Sequence, residues 1–314
     1  MKKGLLLVLC TCLLLSGCSV KAENSATGFM MDTVVNIKAV AKTQVLNETL
    51  DFCRAYERKL SRTCADGEIY LLNKNGCGSV GEETAMLLEK ALYYCALSDG
   101  KFDISVGNLV SVWDFKNGVV PDQNSIKSAL DKIGYKKITK DANNFSLGGT
   151  NVDLGAVAKG YIADKTVDFL KNKGIDKGLV NVGGNIAVFG DDYVNVGIKN
   201  PLSNGVKATV RVKNTSVVTS GTYERCFTAN GKKYHHILST ADGYPVETNL
   251  ASATIICKDG AKADILSTLC IIYGLNDALK LISETPDAEA MFITNEGEIF
   301  ISNGIYSENG YYRI

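Results

Sequence analysis

The sequence predicts an α+β protein, and three observations carry that prediction. Segments with the apolar period of helices and segments with the two-residue alternation of strands are interleaved irregularly, without the strict strand–helix–strand order of a doubly wound sheet. No linker-like change of composition and no internal repeat divides residues 28–314, so one folded unit is the economical reading, with a two-lobed form left open. Hydrophobic residues make up 46% of the 314 and Pro only four, which suffices for a sizeable core and excludes a disordered or fibrous chain.

The elements follow in chain order. Met1-Lys2-Lys3 is a short basic region, 4–15 is an apolar run, and Leu15-Ser16-Gly17-Cys18 ends it with small residues. That pattern reads as an export signal over 1–17, too short to span a bilayer as a helix. It resembles a bacterial lipobox, in which Cys18 takes lipid; each buried CH₂ of acyl chain then adds about 0.8 kcal/mol of membrane affinity. A polar tether over 18–27 leads to a strand over 30–40, where apolar and polar residues alternate. Leu46, Leu50, Cys53, Tyr56 and Leu60 recur at steps of three and four and predict an amphipathic helix. Further helices are expected over 82–97, 125–133 and from 157 to about 174, where Gly174 ends the run. Short strands are expected over 179–182, 186–189, 193–198, 206–212, 216–218 and 251–257. Helices over 261–273 and 276–282 follow, then strands over 290–293 and 298–301.

Composition narrows the function. Thirty-four Lys and Arg balance thirty-four Asp and Glu, so nothing favours nucleic acid, whose binders need excess cations to displace phosphate counterions. The only two His, His235 and His236, are adjacent and cannot build a His-rich zinc or iron site; any metal must use oxygen or sulfur ligands. Neither G-x-x-x-x-G-K-[ST] nor G-x-G-x-x-G occurs, which removes support for a P-loop or Rossmann site. Of ten Cys, Cys10 and Cys12 leave with the signal and Cys18 takes lipid. The remaining seven form no C-x-x-C pair, and Cys53, Cys95, Cys257 and Cys270 sit among apolar residues, as buried unpaired thiols would.

Four segments combine Gly, Asp and small polar residues between apolar runs: Gly100 to Gly107 with Trp113 after it, Asp153 to Tyr161, Asn181 to Asn185, and Thr219 to Glu224. Glycines at strand ends let a ligand approach the backbone and offer N–H groups to anions. Each has a structural reading as well: Asp153 as a helix N-cap, Gly183-Gly184 as a tight turn, Asp103 as a carboxylate satisfied by backbone donors. Asp264 and Thr268 lie four apart on a predicted helix, so their oxygens share one face and suit a hard cation. Alternatively Thr268 bonds back to the carbonyl four residues earlier. A His on a strand is more often structural than catalytic, but His236 and His235, on a predicted strand, are the only ordinary candidates for a near-neutral base.

Taken together these segments resemble the ApbE-type FAD:protein FMN transferases of bacteria. The resemblance rests on Met31-Asp32-Thr33, Lys101 to Gly107 with Trp113, Val152 to Tyr161, Asn181 to Gly184, Thr219 to Arg225, His236-Ile237 with Gly243 to Val246, and Ala263 to Thr268, in that order over 30–274. It implies a single catalytic unit over 28–314 that binds FAD in a cleft and uses Mg²⁺. The unit transfers FMN to a Thr or Ser hydroxyl of an acceptor protein and releases AMP. By resemblance the metal falls to the Ala156 carbonyl, Asp264 and Thr268. The flavin contacts fall to Met31, Phe102, Asp103, Asp153, Lys159, Gly183, Gly184, His236 and Ile237. Lys159 then adds positive charge, and His236 is the catalytic base or a positioning group.

The implied acceptors are exported flavoproteins, either subunits of redox complexes or extracellular electron-transfer proteins, met at a membrane to which the lipid anchor holds the enzyme. The chain has no convincing flavinylation segment ending in Ser/Thr-Gly-Ala-Thr of its own, so it is the donor enzyme. Two alternatives stand beside transfer: an FAD pyrophosphatase giving FMN and AMP, and a non-catalytic FAD-binding lipoprotein. The sequence departs from the family pattern at Asp32, where many members carry Gly, at Ser239 to Gly243, and at Thr63, where several carry a flavin-stacking Tyr.

Overall fold

The computed structural model describes residues 23–314. The predicted export signal and Cys18 lie outside them. Strands β1 (Asn24–Met30) and β2 (Thr33–Ala39) form a hairpin closed by Met31-Asp32. The polar tether therefore yields to strand at Asn24 rather than after Thr27, and the strand expected over 30–40 is only the second arm. Met31 and Asp32 both sit at φ 54°, so a two-residue turn forms without the glycine that usually announces one.

Helices α1 (Thr43–Leu60) and α2 (Glu68–Asn75), strand β3 (Cys77–Ser79), and helices α3 (Glu82–Leu97), α4 (Gly107–Val112) and α5 (Gln123–Leu130) follow. Then come β4 (Thr139–Asp141), β5 (Asn144–Ser146), α6 (Ala158–Asn172), β6 (Gly178–Val182), β7 (Asn185–Phe189), β8 (Val194–Lys199) and β9 (Val206–Val212). The chain continues with β10 (Thr215–Gly221), β11 (Cys226–Ala229), β12 (Lys232–His235), β13 (Leu250–Cys257), α7 (Gly260–Tyr273), α8 (Leu275–Ser283), β14 (Ala288–Thr294), β15 (Ile299–Ile301), β16 (Tyr306–Glu308) and β17 (Tyr311–Arg313). Periodicity located the long helices, but α2, α4 and the short strands β3 to β5 carry too few turns or alternations to register.

An eight-stranded antiparallel sheet in the order β1-β2-β6-β7-β10-β13-β14-β15 divides the molecule. Alternation assigns its faces. On one face Val35, Ile37, Val180, Val182, Val218, Ile255 and Phe292 join Leu46, Cys53, Ile162, Leu170, Leu266 and Cys270 of the helices in the main core. On the other, Val188, Val217, Ile256 and Met291 pack against Val196, Ile198, Val210 and Val212 of a smaller sheet, β16-β17-β9-β8. Strand β13, buried along its whole length, contributes to both. A third apolar cluster joins Leu109, Trp113, Ile126 and Leu238.

Helices α6 and α7 meet backbone to backbone at Gly160 and Gly260, each glycine N–H donating to a carboxylate of the other helix, Asp264 and Asp164. A Cβ on Gly160 would stand 2.0 Å from the Gly260 carbonyl oxygen, and one on Gly260 would stand 2.8 Å from the Gly160 carbonyl oxygen. Only glycine at both positions lets the backbones approach this closely, and that approach brings the start of α6 against the side of α7. All seven cysteines among the described residues are free, with Cys53, Cys95, Cys257 and Cys270 buried as expected. No helix among the described residues is long and apolar enough to cross a membrane.

Candidate functional site

The glycine-rich segments converge on one cavity of about 460 Å³. Its wall is assembled from the β1–β2 turn (Asp32, Thr33), the loop before α4 (Phe102, Asp103), the loop before α6 (Asp153, Ala156), the β6–β7 turn (Gly183), the end of β10 (Ser220), the segment after β12 (His236, Ile237) and one face of α7 (Asp264, Thr268). Lys159 also lines it. Two expected flavin contacts are not among the lining residues: Met31 and Gly184. Met31 instead fixes its turn, its N–H donating to Glu57 and its carbonyl accepting from Arg225 at 3.1 Å. Gly184 donates to Asn181 Oδ1 at 2.8 Å and supplies the second positive φ of its turn, at 93°. Gly183 is pinned by contact, because a Cβ there would lie 2.5 Å from Thr33 Oγ1 of the neighbouring turn.

Asp264, only 2% exposed, is the most deeply placed carboxylate of the wall. Its Oδ2 accepts from the Gly160 N–H at 3.0 Å, and its Oδ1 lies 3.8 Å from Lys159 Nζ. Lys159 Nζ also donates to the Gly155 carbonyl at 2.6 Å, which leans it across the start of α6. One turn along α7, Thr268 Oγ1 is 3.3 Å from both the Asp264 carbonyl and Ser220 Oγ, so the back-bonding expected of a helical Thr coexists with a hydroxyl facing the cavity. Ser220 Oγ is 2.7 Å from Ser267 Oγ. Ser220 sits in strand β10, not in a loop, which extends that strand past the expected 216–218. Among the described residues the Ala156 carbonyl accepts no hydrogen bond. Asp264, Thr268 and Ala156 thus present oxygen only, and no cluster of three His, Cys, Asp or Glu is found among the described residues.

The remaining carboxylates have defined roles. Asp103 Oδ1 accepts from the Ser105 N–H at 2.7 Å and Oδ2 from Tyr135 N–H at 2.9 Å, yet burial outweighs these bonds and pushes its pKa up. Asp153 does not cap α6, whose N-cap is Val157 without a side-chain bond. It binds its own loop through Gly155 N–H at 2.7 Å and pairs with Arg62 at 2.7 Å. Glu224 is raised mainly by burial, with the Asp264 charge adding to it and Lys159 opposing.

His236 lies just past the end of β12, outside the strand expected to hold it. Its Nδ1 is 3.1 Å from the Glu224 carbonyl. A carbonyl can only accept, so Nδ1 carries the hydrogen and Nε2 keeps its lone pair. Burial, followed by the charges of Arg225 and Lys159, pushes the imidazole pKa down to about 3. The ring is neutral through the physiological range.

With this geometry in view, the comparisons with known proteins are specific. The sequence profile of the ApbE family matches residues 31–292. The chain belongs to the ApbE family. It is 31% identical to the FAD:protein FMN transferase of Treponema pallidum over 90% of this chain and 88% of that one. The Klebsiella pneumoniae FAD:protein FMN transferase is 30% identical over 89% of this chain and 92% of its own. Among solved structures, an ApbE protein of Thermotoga maritima superposes with a TM-score of 0.81 at 30% identity, covering 90% of this chain and 97% of the other.

Against that ApbE frame, sequence reasoning missed four residues that shape the cavity. Lys101 and Glu224 lie in the wall, inside motifs that were recognised without singling them out. Arg225 also lies in the wall and anchors the β1–β2 turn. Arg62 holds Asp153 from outside. The departure at Thr63 is visible too: the side chain is exposed, bonds Ser61, and does not line the cavity.

Proposed function

We propose that this protein is an exported FAD:protein FMN transferase that moves the FMN half of FAD onto a Ser or Thr hydroxyl of an acceptor flavoprotein and releases AMP. The observation that carries the reading is the convergence, in one cavity, of Asp264 and Thr268 of α7, Ala156 of the loop before α6, and an imidazole whose Nδ1 is engaged by the Glu224 carbonyl. Full-length similarity to proteins named FAD:protein FMN transferase supports it.

The cavity wall holds three cationic side chains, Lys101, Lys159 and Arg225, against five carboxylates, Asp32, Asp103, Asp153, Glu224 and Asp264. Such a wall does not attract a pyrophosphate unaided, so an added cation is the electrostatic complement the substrate needs. The Ala156 carbonyl, Asp264 and Thr268 fit Mg²⁺, which favours oxygen ligands completed by phosphate and water. When bound there, Mg²⁺ supplies Lewis-acid polarisation of the phosphoryl oxygens. Lys159, tethered to Gly155, faces the same region and stabilises negative charge on the departing phosphate. Glu224 aligns His236 through its main-chain carbonyl.

In the transfer, the acceptor hydroxyl oxygen attacks the FMN phosphorus, and its proton passes to His236 Nε2. The bond from that phosphorus to the bridging oxygen breaks, and AMP leaves with the bridging oxygen. An imidazole of low basicity takes the proton late, as the oxygen–phosphorus bond forms, and the nearby anionic pyrophosphate raises its basicity while substrate is bound.

The exposed Thr63 favours one competing course. Without an aromatic face from that position, FAD is held less firmly and water can take the acceptor's place, giving FMN and AMP. Incubation with FAD and Mg²⁺, with and without an acceptor domain, separates the readings through AMP release and acceptor mass. AMP that depends on acceptor supports transfer; equal AMP without it supports hydrolysis; no AMP in either arm leaves a binding protein. Asp264→Asn is expected to abolish Mg²⁺-dependent AMP release while the unfolding temperature stays within a few degrees. The lipid anchor at Cys18 is part of the same proposal, supported by the basic and apolar pattern of 1–17, and is tested by the mass of the mature N-terminal peptide.

A further inference from the structure

We infer that the outward face of the β1–β2 hairpin tip, Phe29 and Val34, is the anchor on which the acceptor protein docks, taking an apolar side chain that flanks the reacting Ser or Thr. This inference rests on the transferase reading, because only a macromolecular acceptor must touch the rim of the cavity.

Phe29 and Val34 are cross-strand partners in the register of β1 and β2, so their side chains lie together on one face. They are 71% and 54% exposed, and Phe29 is the most exposed large hydrophobic residue among those described. The other outward pairs of this hairpin are polar: Thr27 with Asn36 and Ser25 with Lys38. Beyond β2, the same face of the sheet is covered by the smaller sheet, whereas among the described residues nothing comparable covers the hairpin. Alternation would place polar residues at the tip as well, so the apolar pair there is a departure from the hairpin's own pattern.

Position says what the pair serves. Asp32 and Thr33, between Phe29 and Val34 in the chain, line the cavity. At about 3.4 Å per strand residue, the pair lies within roughly 10 Å of the turn that forms the cavity rim. An acceptor whose hydroxyl enters the cavity carries the residues two or three positions away over this same distance. The tip is also held rigid, by Arg225 on the Met31 carbonyl at 3.1 Å, by Glu57 on the Met31 N–H, and by the contact of Thr33 with Gly183. A preordered apolar anchor costs little entropy on docking.

The test uses the full chain and, as probe, an acceptor domain carrying a Ser/Thr-Gly-Ala-Thr segment. The double variant Phe29→Thr, Val34→Thr keeps strand-forming residues, and Phe29→Leu is the conservative control. The expected result is a KM for acceptor raised about tenfold, with kcat, FAD affinity by flavin fluorescence and unfolding temperature unchanged, and recovery in the Leu variant. An unchanged KM overturns the proposal. So does a loss traced to weaker self-association in sedimentation or to weaker binding to phosphatidylglycerol vesicles, either of which gives the patch to a second copy or to the membrane. If the native chain binds FAD but transfers nothing, the functional reading has failed and the docking anchor with it; transfer by the native chain with intact acceptor KM in the variants defeats the anchor alone.

Discussion

Replacing Gly160 by Ala sets two opposed effects against each other in one methyl group. On an isolated helix, Ala in place of Gly stabilises by about 1 kcal/mol. In this fold the new Cβ would stand 2.0 Å from the Gly260 carbonyl oxygen, 2.5 Å from its carbon and 3.0 Å from Asp264 Cβ. The first contact is about 1.4 Å short of an ordinary one, and two of the three atoms are backbone, so α6 and α7 must part. Overpacking of this kind costs about 1–3 kcal/mol. Separation also stretches the bond from Gly160 N–H to Asp264 Oδ2, now 3.0 Å; a hydrogen bond to a charged group contributes about 1.5–3 kcal/mol. The balance is a loss of roughly 2–5 kcal/mol, which at a slope of about 3 kcal/mol per M lowers the urea midpoint by about 1 M. AMP release should fall further than stability does, because Asp264 loses the contact that orients it. Urea unfolding and a Mg²⁺ titration of AMP release, both on Gly160→Ala, measure the two effects. A midpoint equal to or above that of the native chain refutes the packing argument, and normal Mg²⁺ dependence refutes the coupling to Asp264.

Four further outcomes follow from the site and its frame. With the His236 pKa down near 3, kcat/KM for FAD should stay level as pH falls from 8 through 6.5 to 5, whereas a fall centred near 6.5 would show an ordinary imidazole; His236→Ala should lower kcat about 10²–10⁴-fold. Because both His are held neutral in the fold and take a proton below about 6.5 in the unfolded chain, their contribution to stability is full above 6.5 and is lost as pH falls toward 4 for His235 and 3 for His236, which acid titration of the unfolding free energy will read. In native-state alkylation followed by mass, Cys77 should react first and the buried Cys53, Cys95, Cys257 and Cys270 only after unfolding; burial raises each of these four thiols, Cys95 to about 12. Asp32→Val should cost about 1–2 kcal/mol by urea unfolding, because a β-branched side chain at φ 54° is strained, while Asp32→Gly should be neutral or mildly stabilising.

Much of this architecture was readable because its signals are local. The periods over Leu46 to Leu60 and over 82–97 need no tertiary context, and α1 and α3 formed where they predicted. Asp264 and Thr268 were paired by helical spacing alone. Where a residue's role depends on a partner far along the chain, no local pattern announces it. Asp153 stands ahead of a helix as a cap would, and its pairing at 2.7 Å with Arg62, ninety-one positions earlier, leaves no local mark. His236 follows a strand-like alternation, and its tautomer depends on the Glu224 carbonyl across the β11–β12 hairpin.

The sequence by itself determined that this is an α+β protein whose balanced charge and two adjacent His speak against a nucleic-acid surface and a His-rich metal site, because composition, period and residue chemistry are properties of the chain. Only the tertiary structure decided which oxygens meet. The crossing of α6 and α7 at Gly160 and Gly260 brings Lys159 to Asp264 over more than a hundred residues, and the two adjoining hairpin turns set Thr33 against Gly183. It also decided that Met31 holds a turn and that Phe29 faces outward beside the rim. Distances across a folded chain arise from packing many side chains at once, and no local pattern encodes that sum.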